Sequence, residues 1–336
     1  MSRALQPGIQ TPNFTLPATC GEGELSLEQQ RGQNVILVFF PAGPAEELLA
    51  QLRQFQARLG DFEGQGAVLM GISDAALHDL KRLSSETGVT FPLLSDSSPP
   101  GVTARAYGLL GQDQRVRPGV FIADEEGLIR RVYEADAYPN LPNPAMVARA
   151  LKKLGDVPRP APVTPDDWQL GPPDAPVVLL EYADYQCGPC REAYRLLRRV
   201  LPAYRDRVLW VHRHLPLRHS HPLAQGAAEA AEAAGAQGKF WEMHDRLFEA
   251  EGALEREHLI EYARELGLDV HRFTQDLDSH RFKDAVNEDF KAAVRNKIKL
   301  PPALFINRIP LEGPRSEAAI RARIEALLDC LAGDGG

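Results

Sequence analysis

Cysteine is scarce in this chain, and long apolar runs are lacking altogether. Four cysteines in 336 residues exclude the disulfide framework of a small secreted domain. Nowhere do eighteen apolar residues follow one another, and the opening residues hold a single arginine and no apolar signal core. The expectation is a soluble, cytoplasmic protein with no membrane partner. Positive charge is not in surplus either: 38 Lys and Arg against 46 Asp and Glu leave a net charge of -8. That balance argues against a phosphate-backbone partner, so no nucleic acid is expected. What is present is ordinary globular material, 44% hydrophobic and 25% charged, in a length comfortable for two cores.

Apolar runs at residues 35–40, 67–72, 119–123 and 128–133 predict strands, with helical periodicity over residues 45–59 between the first two. Asp74 stands where a helix through Thr87 would want an N-cap, and Asp124-Glu-Glu-Gly127 reads as a hairpin turn. Residues 1–155 therefore predict an α/β domain on a mixed sheet. Seven of the 27 prolines fall within residues 156–176, a composition expected to stay extended and resist packing, and so a linker. The remainder, residues 177–332, opens with a strand over 177–182, a helix from Pro189 to about Tyr204 and a strand over 208–212. Helical patterns at 222–234, 240–250, 257–266 and 281–298 predict a helical insertion over about 216–298. A strand at 303–306 and a last helix, capped by Ser316 and running to Leu331, close the domain.

The chain is organised around Cys187-Gly188-Pro189-Cys190, the one place where two thiols are neighbours by construction. The pair follows a strand and opens a helix, where free N–H groups and the helix dipole stabilise a thiolate. With sulfurs at i and i+3, the outer cysteine attacks a disulfide and the inner one resolves the mixed disulfide. Two plainer readings compete. As a staple, so short a loop yields only about 2 kcal/mol on closure, a poor reason for the pair. As half of a zinc site it needs two more ligands. His212, His214, His219 and His221 lie nearby without finger-like spacing, and read as packing and surface residues. Glu181 lies six residues before Cys187, inside an apolar strand. Buried, its carboxyl would have a raised pKa and could take the Cys190 proton; on an edge strand it would simply reach solvent.

The motifs EYADYQCGPC (181–190), RHLPL (213–217), HPLAQ (221–225), AAEAAEAA (227–234), FWEMHD (240–245) and ALFIN (303–307) span the second half. Residues 177–332 thus resemble the DsbA-like thiol:disulfide oxidoreductases, a thioredoxin fold with a helical insertion. The resemblance implies catalytic Cys187 and Cys190, a buried acid at Glu181 and a cis-proline at Pro302 facing the disulfide, with no metal or organic cofactor. Two departures stand out. The dipeptide Gly188-Pro189 is that of thioredoxins, whose potential lies about 150 mV, or roughly 7 kcal/mol, from that of DsbA. Pro301 stands where the family uses a backbone N–H to dock substrate, and proline has none.

In the first half, TPNFTLP (11–17), VILVFFP (35–41) and RPGVFIADEEG (117–127) resemble the AhpC/TSA peroxiredoxins over about residues 5–154. Pro41-Ala-Gly-Pro-Ala-Glu-Glu-Leu replaces the peroxidatic loop and carries no sulfur; Arg117 is read as a remnant of the family's active-site arginine.

Together the resemblances imply two tandem thioredoxin-like α/β folds, the second with a DsbA-type helical insertion. The first would serve for docking or dimerisation. The implied activity is dithiol–disulfide exchange on protein disulfides, in the reducing direction, with electrons from a thioredoxin reductase-like or glutathione-linked donor. A peroxidase in which Cys20 is re-reduced by the Cys187–Cys190 pair is one alternative. A redox-switched holdase or adaptor is another. Cys20 and Cys330 otherwise read as bystander thiols.

Overall fold

The computed structural model describes residues 4–20, 23–43, 45–134, 143–313 and 315–332. The chain divides into two compact units, one of Met1–Val157 with Asp329–Gly336 and one of Pro158–Leu328. Among the described residues no helix is long and apolar enough to cross a membrane.

The first unit runs β1 (Thr15–Pro17), β2 (Glu24–Ser26), β3 (Asn34–Phe40), α1 (Glu46–Gln56), α2 (Leu59–Glu63), β4 (Ala67–Ser73), α3 (Leu77–Thr87) and β5 (Leu93–Ser95). It continues through α4 (Val102–Ala106), β6 (Gly119–Ala123), β7 (Ile129–Glu134) and α5 (Pro144–Leu154). Its main sheet has the order β5-β4-β3-β6-β7. β3, β4 and β5 are parallel, whereas β6 and β7 run antiparallel as a hairpin, giving the mixed sheet expected. β3 is central and covered on both faces, which is why it reads as an unbroken apolar run and not an alternation. Helix α3 starts two residues later than the sequence suggests. Its N-cap is Ala76, with no side-chain cap bond, because the Asp74 carboxylate instead accepts from the Ala42 N–H at 2.6 Å, beyond the end of β3.

The second unit begins inside the proline-rich segment. β8 (Trp168–Leu170) pairs antiparallel with β10 (Val208–His214), itself parallel to β9 (Val177–Ala183). Between β9 and β10 lies α6 (Gly188–Val200). α7 (Ala224–Gly235), α8 (Phe240–Glu249), α9 (Arg256–Glu265), α10 (Val270–Asp278) and α11 (Lys283–Arg295) form the insertion. Then come β11 (Ala303–Ile306), β12 (Ile309–Pro310) and α12 (Glu317–Ala332), with sheet order β12-β11-β9-β10-β8.

The expectation that residues 156–176 resist packing is corrected here. Arg213, buried on β10, binds the Asp167 carboxylate through two nitrogens at 2.6 and 2.9 Å and reaches the carbonyls of Ala161 and Pro162 at 3.0 and 2.9 Å. Prolines remove donors but leave every carbonyl free to accept, and one five-donor guanidinium satisfies several at once.

Candidate active site

β9 delivers Cys187 to the N-cap of α6, with Pro189 in the first turn, where its missing N–H leaves nothing unpaired. The Cys190 backbone N–H donates to the Cys187 sulfur at 3.3 Å. Cys187 and Cys190 are both buried and not joined in a disulfide. The hydrogen bond from the Cys190 thiol, more than any other influence, lowers the Cys187 pKa to about 7; the Cys190 N–H and the nearby His221 add to this, against burial and Asp184. Burial, then the neighbouring Cys187 sulfur, pushes Cys190 far up. One sulfur is thus prepared as a thiolate and the other as a thiol. A Cβ placed on Gly188 would meet nothing within 4 Å.

The Pro301–Pro302 bond is cis, at the head of β11, and the Pro301 carbonyl oxygen lies 3.9 Å from the Cys187 sulfur. Buried Asp184 braces the approach to the pair. It accepts from the Gln186 and Leu217 N–H groups, each at 2.8 Å, and bonds His221 Nδ1 at 2.8 Å. The turn before the dithiol is thereby tied to the first turn of the insertion.

Beneath this surface lies a buried polar network. Strand alternation puts Trp210, His212 and His214 on one face of β10, and the β9–β10 register sets Glu181 beside His212. Trp210 Nε1 donates to Glu181 Oε1 at 3.1 Å, and His212 Nδ1 bonds the same oxygen at 3.1 Å. His212 Nε2 meets His214 Nδ1 at 3.3 Å, and His214 Nε2 meets Glu232 Oε1, on α7, at 3.0 Å. Trp168 Nε1 donates to that Glu232 oxygen at 2.7 Å, while the indole stacks on Phe240 with centroids 4.2 Å apart. α8 supplies His244, whose Nδ1 bonds the Tyr185 hydroxyl at 3.1 Å. Burial pushes the Glu181 carboxyl up to about 8, with the Trp210 bond opposing, and holds His212 and His244 well below the usual imidazole range. Glu181 is therefore a buried acid, not an edge carboxylate in water. Among the described residues no hydrogen bond or ion pair joins it to either cysteine.

Glu181, His212 and His244 each bring one ligand-type atom within 4.8 Å of the others. Within that trio Glu181 Oε1 is hydrogen-bonded by both Trp210 Nε1 and His212 Nδ1. From sequence alone His212 and His214 read as packing residues, and nothing marks His244 or Glu232. The available signal was His-Arg-His on a strand adjoining one that carries an isolated glutamate, a pattern that alternation turns into one polar face. His219 is exposed and stands apart.

In the first unit, the segment after β3 offers Pro41, Ala42, Gly43 and Ala45, none with sulfur; Pro44 lies outside the described residues. Arg117 donates to the Gly108 carbonyl at 2.7 Å and pairs with Glu134 at 3.6 Å, as a structural group would. Cys20 is exposed and Cys330 is buried on α12.

A model of the AhpC/TSA family matches residues 7–132, and a thioredoxin family model matches residues 163–326. The chain is 41% identical over 184 residues to the Na(+)/H(+) antiporter NhaA 3 of Salinispora tropica, covering 54% of this chain and 28% of that protein. It is also 41% identical over 166 residues to the Na(+)/H(+) antiporter NhaA of Herminiimonas arsenicoxydans, 49% of this chain and 26% of that one. The chain therefore spans only about a quarter of the length of these curated relatives. Among solved structures, Mycobacterium tuberculosis AhpC aligns at 20% identity with a TM-score of 0.42, covering 46% of this chain and 94% of that one. Enterococcus faecalis AhpC aligns at 21% identity with a TM-score of 0.41, covering 46% and 93%. The chain thus joins an AhpC/TSA peroxiredoxin-like domain to a thioredoxin-like domain, two thioredoxin-type α/β folds in tandem.

Proposed function

We propose that this chain is a DsbA-like thiol–disulfide oxidoreductase that reduces protein disulfides through Cys187 and Cys190. The observation that carries the reading is the division of labour between the two sulfurs: Cys187 lowered to about 7 at a helix N-terminus, Cys190 held as a thiol beneath it. In the forward reaction the Cys187 thiolate attacks a substrate disulfide, forms a mixed disulfide and expels one substrate thiolate. The Cys190 thiol then gives its proton to Glu181, and its sulfur attacks Cys187. The bond between Cys187 and the substrate breaks, and the second substrate thiolate leaves with the electron pair. Two electrons pass to the substrate, and the protein is left with a Cys187–Cys190 disulfide.

The cis Pro301–Pro302 bond borders the site, with the Pro301 carbonyl oxygen 3.9 Å from the Cys187 sulfur. Without an N–H at Pro301, an extended substrate gains one backbone bond fewer there. The Gly188-Pro189 dipeptide and a cytoplasmic setting favour reduction, with a thioredoxin reductase-like or glutathione-linked donor restoring the dithiol. The first domain, without sulfur after β3, serves for docking or dimerisation. The ion transport in the relatives' names forms no part of this reading, which rests on the dithiol.

The deciding experiment is the equilibrium reduction potential of Cys187–Cys190 in a glutathione or dithiothreitol series, with Cys20 and Cys330 replaced by serine. A potential near about -270 mV, the thioredoxin range, supports a reductant; one near about -120 mV, the DsbA range, overturns it.

A further inference from the structure

Glu181, His212, His214 and Glu232 are joined end to end by three hydrogen bonds of 3.1, 3.3 and 3.0 Å. The inner end is wholly enclosed, while the Glu232 side chain is 12% exposed. Three hydrogen bonds need three protons. A neutral imidazole has one N–H and one acceptor nitrogen, so the two rings supply two protons, and both must point the same way along the chain. The third belongs to a carboxyl group, and it resides at one end or the other. With Glu181 protonated, every bond points toward Glu232; with Glu232 protonated, every bond points inward. Passing a proton from end to end reverses all three bonds and leaves no polar atom of the chain unpaired.

We propose that these four residues form a proton relay, carrying the proton that Glu181 takes from Cys190 out to Glu232, which discharges it to solvent. The proposal rests on the role given to Glu181 above and extends it. The three outer residues act through Glu181 and touch no sulfur. Their surroundings suit the task. Trp210 and Trp168 each donate to one end carboxyl, which leaves the third proton free to reside at either end. Asp245 and His244 of α8 face the inner end. Asp289 of α11 accepts the His214 N–H at 2.8 Å and holds that strand position without entering the chain of bonds.

The test uses the full chain with Cys20 and Cys330 replaced by serine, reduced and mixed rapidly with 5,5'-dithiobis(2-nitrobenzoate). Attack by Cys187 releases one chromophoric thiolate and resolution by Cys190 releases a second, so the two steps are read separately. Glu232→Gln and His214→Gln are expected to slow the second release about tenfold and alter its pH profile while leaving the first unchanged, with Glu232→Asp restoring most of the rate. Glu181→Gln should slow the same phase. If Glu181→Gln slows it and the two outer variants do not, the relay is wrong and the role of Glu181 stands. If Glu181→Gln has no effect, that role fails and the relay with it. The wild-type second phase in mixed light and heavy water needs no variant: several protons in flight predict a bowed dependence on deuterium content, and a linear one overturns the relay. Stoichiometric metal that leaves with chelator, altering the second phase, would also overturn it, since a cation would occupy the lone pairs the relay uses.

Discussion

Two residues in the second unit titrate in opposite senses on folding, and each gives a measurable pH dependence. Burial raises Glu181 from its ordinary 4.5 to about 8, so the folded chain holds a proton that the unfolded chain releases across that window. Its contribution to stability therefore falls as pH climbs from about 4.5 to about 8. Cys187 runs the other way. Its folded pKa drops from 9.0 to about 7, so the reduced protein gains stability as pH rises from about 7 to about 9, and loses it again as pH falls back through 7. Denaturant midpoints of reduced wild type and Glu181→Gln at about pH 5 and about pH 9 separate the two, since Cys187 is common to both. The variant should gain on the wild type at the higher pH; a constant difference would mean that Glu181 meets water. Absorbance at 240 nm should report a thiolate with a midpoint of about 7 that vanishes in Cys187→Ser. A midpoint at the ordinary thiol value would remove the basis for assigning Cys187 as the nucleophile.

At the level of elements, β10 divides the work of the second unit by alternation. One face carries Trp210, His212 and His214 into the proton-bearing network, and the other carries Arg213 into the proline-rich segment. Arg213→Leu leaves the Asp167 carboxylate with only Thr164 as partner and removes the donor to two carbonyls, so it should cost about 3 kcal/mol and expose residues 158–167 to protease. Proteolysis no faster than wild type would mean that the segment has other anchors. On α7, a Cβ at Gly235 would lie 2.3 Å from the Trp168 ring. Gly235→Ala should therefore destabilise by about 1–3 kcal/mol in chemical denaturation, and most of that loss should disappear when Trp168 is also truncated. Additive losses would place the strain elsewhere. Much of this architecture was legible in the sequence. The apolar runs of β3, β4, β9 and β11 and the periodicity of α7, α8 and α9 are local signals, and the dithiol's place at a helix start follows from its neighbours. β8 was not legible, because three residues within a proline-rich stretch show no period. The pairing that makes Trp168 a strand residue belongs to β10, some forty positions away. Helix α10 does carry an apolar stripe, Val270, Phe273 and Leu277, but at nine residues, close behind α9, it offers only three such positions to set it apart from its neighbours. The histidine network was only partly legible: the strand register sets Glu181 beside His212, but Glu232 and His244 lie on α7 and α8, which tertiary packing alone brings to that face.

On the scale of the whole molecule, the two domains share a fold type but differ in chemistry. The segment after β3, where a peroxiredoxin-like domain would need sulfur, has none among the described residues; Asp74 accepts from the Ala42 N–H there, and Arg117 binds the Gly108 carbonyl. Purified chain supplied with dithiothreitol is accordingly expected to consume hydrogen peroxide no faster than a Cys187→Ser, Cys190→Ser control, and Cys20→Ser should leave insulin reduction unchanged. Peroxide turnover that disappears with Cys20 would instead favour the self-contained peroxidase. The second sheet has one more consequence. Its flanking strands, β8 and β12, are three and two residues long, so each border offers a foreign strand only a few unpaired backbone groups. The proposed activity on protein disulfides would set this sheet among extended chains ready to add to any open edge; borders this short deny them a template for aggregation.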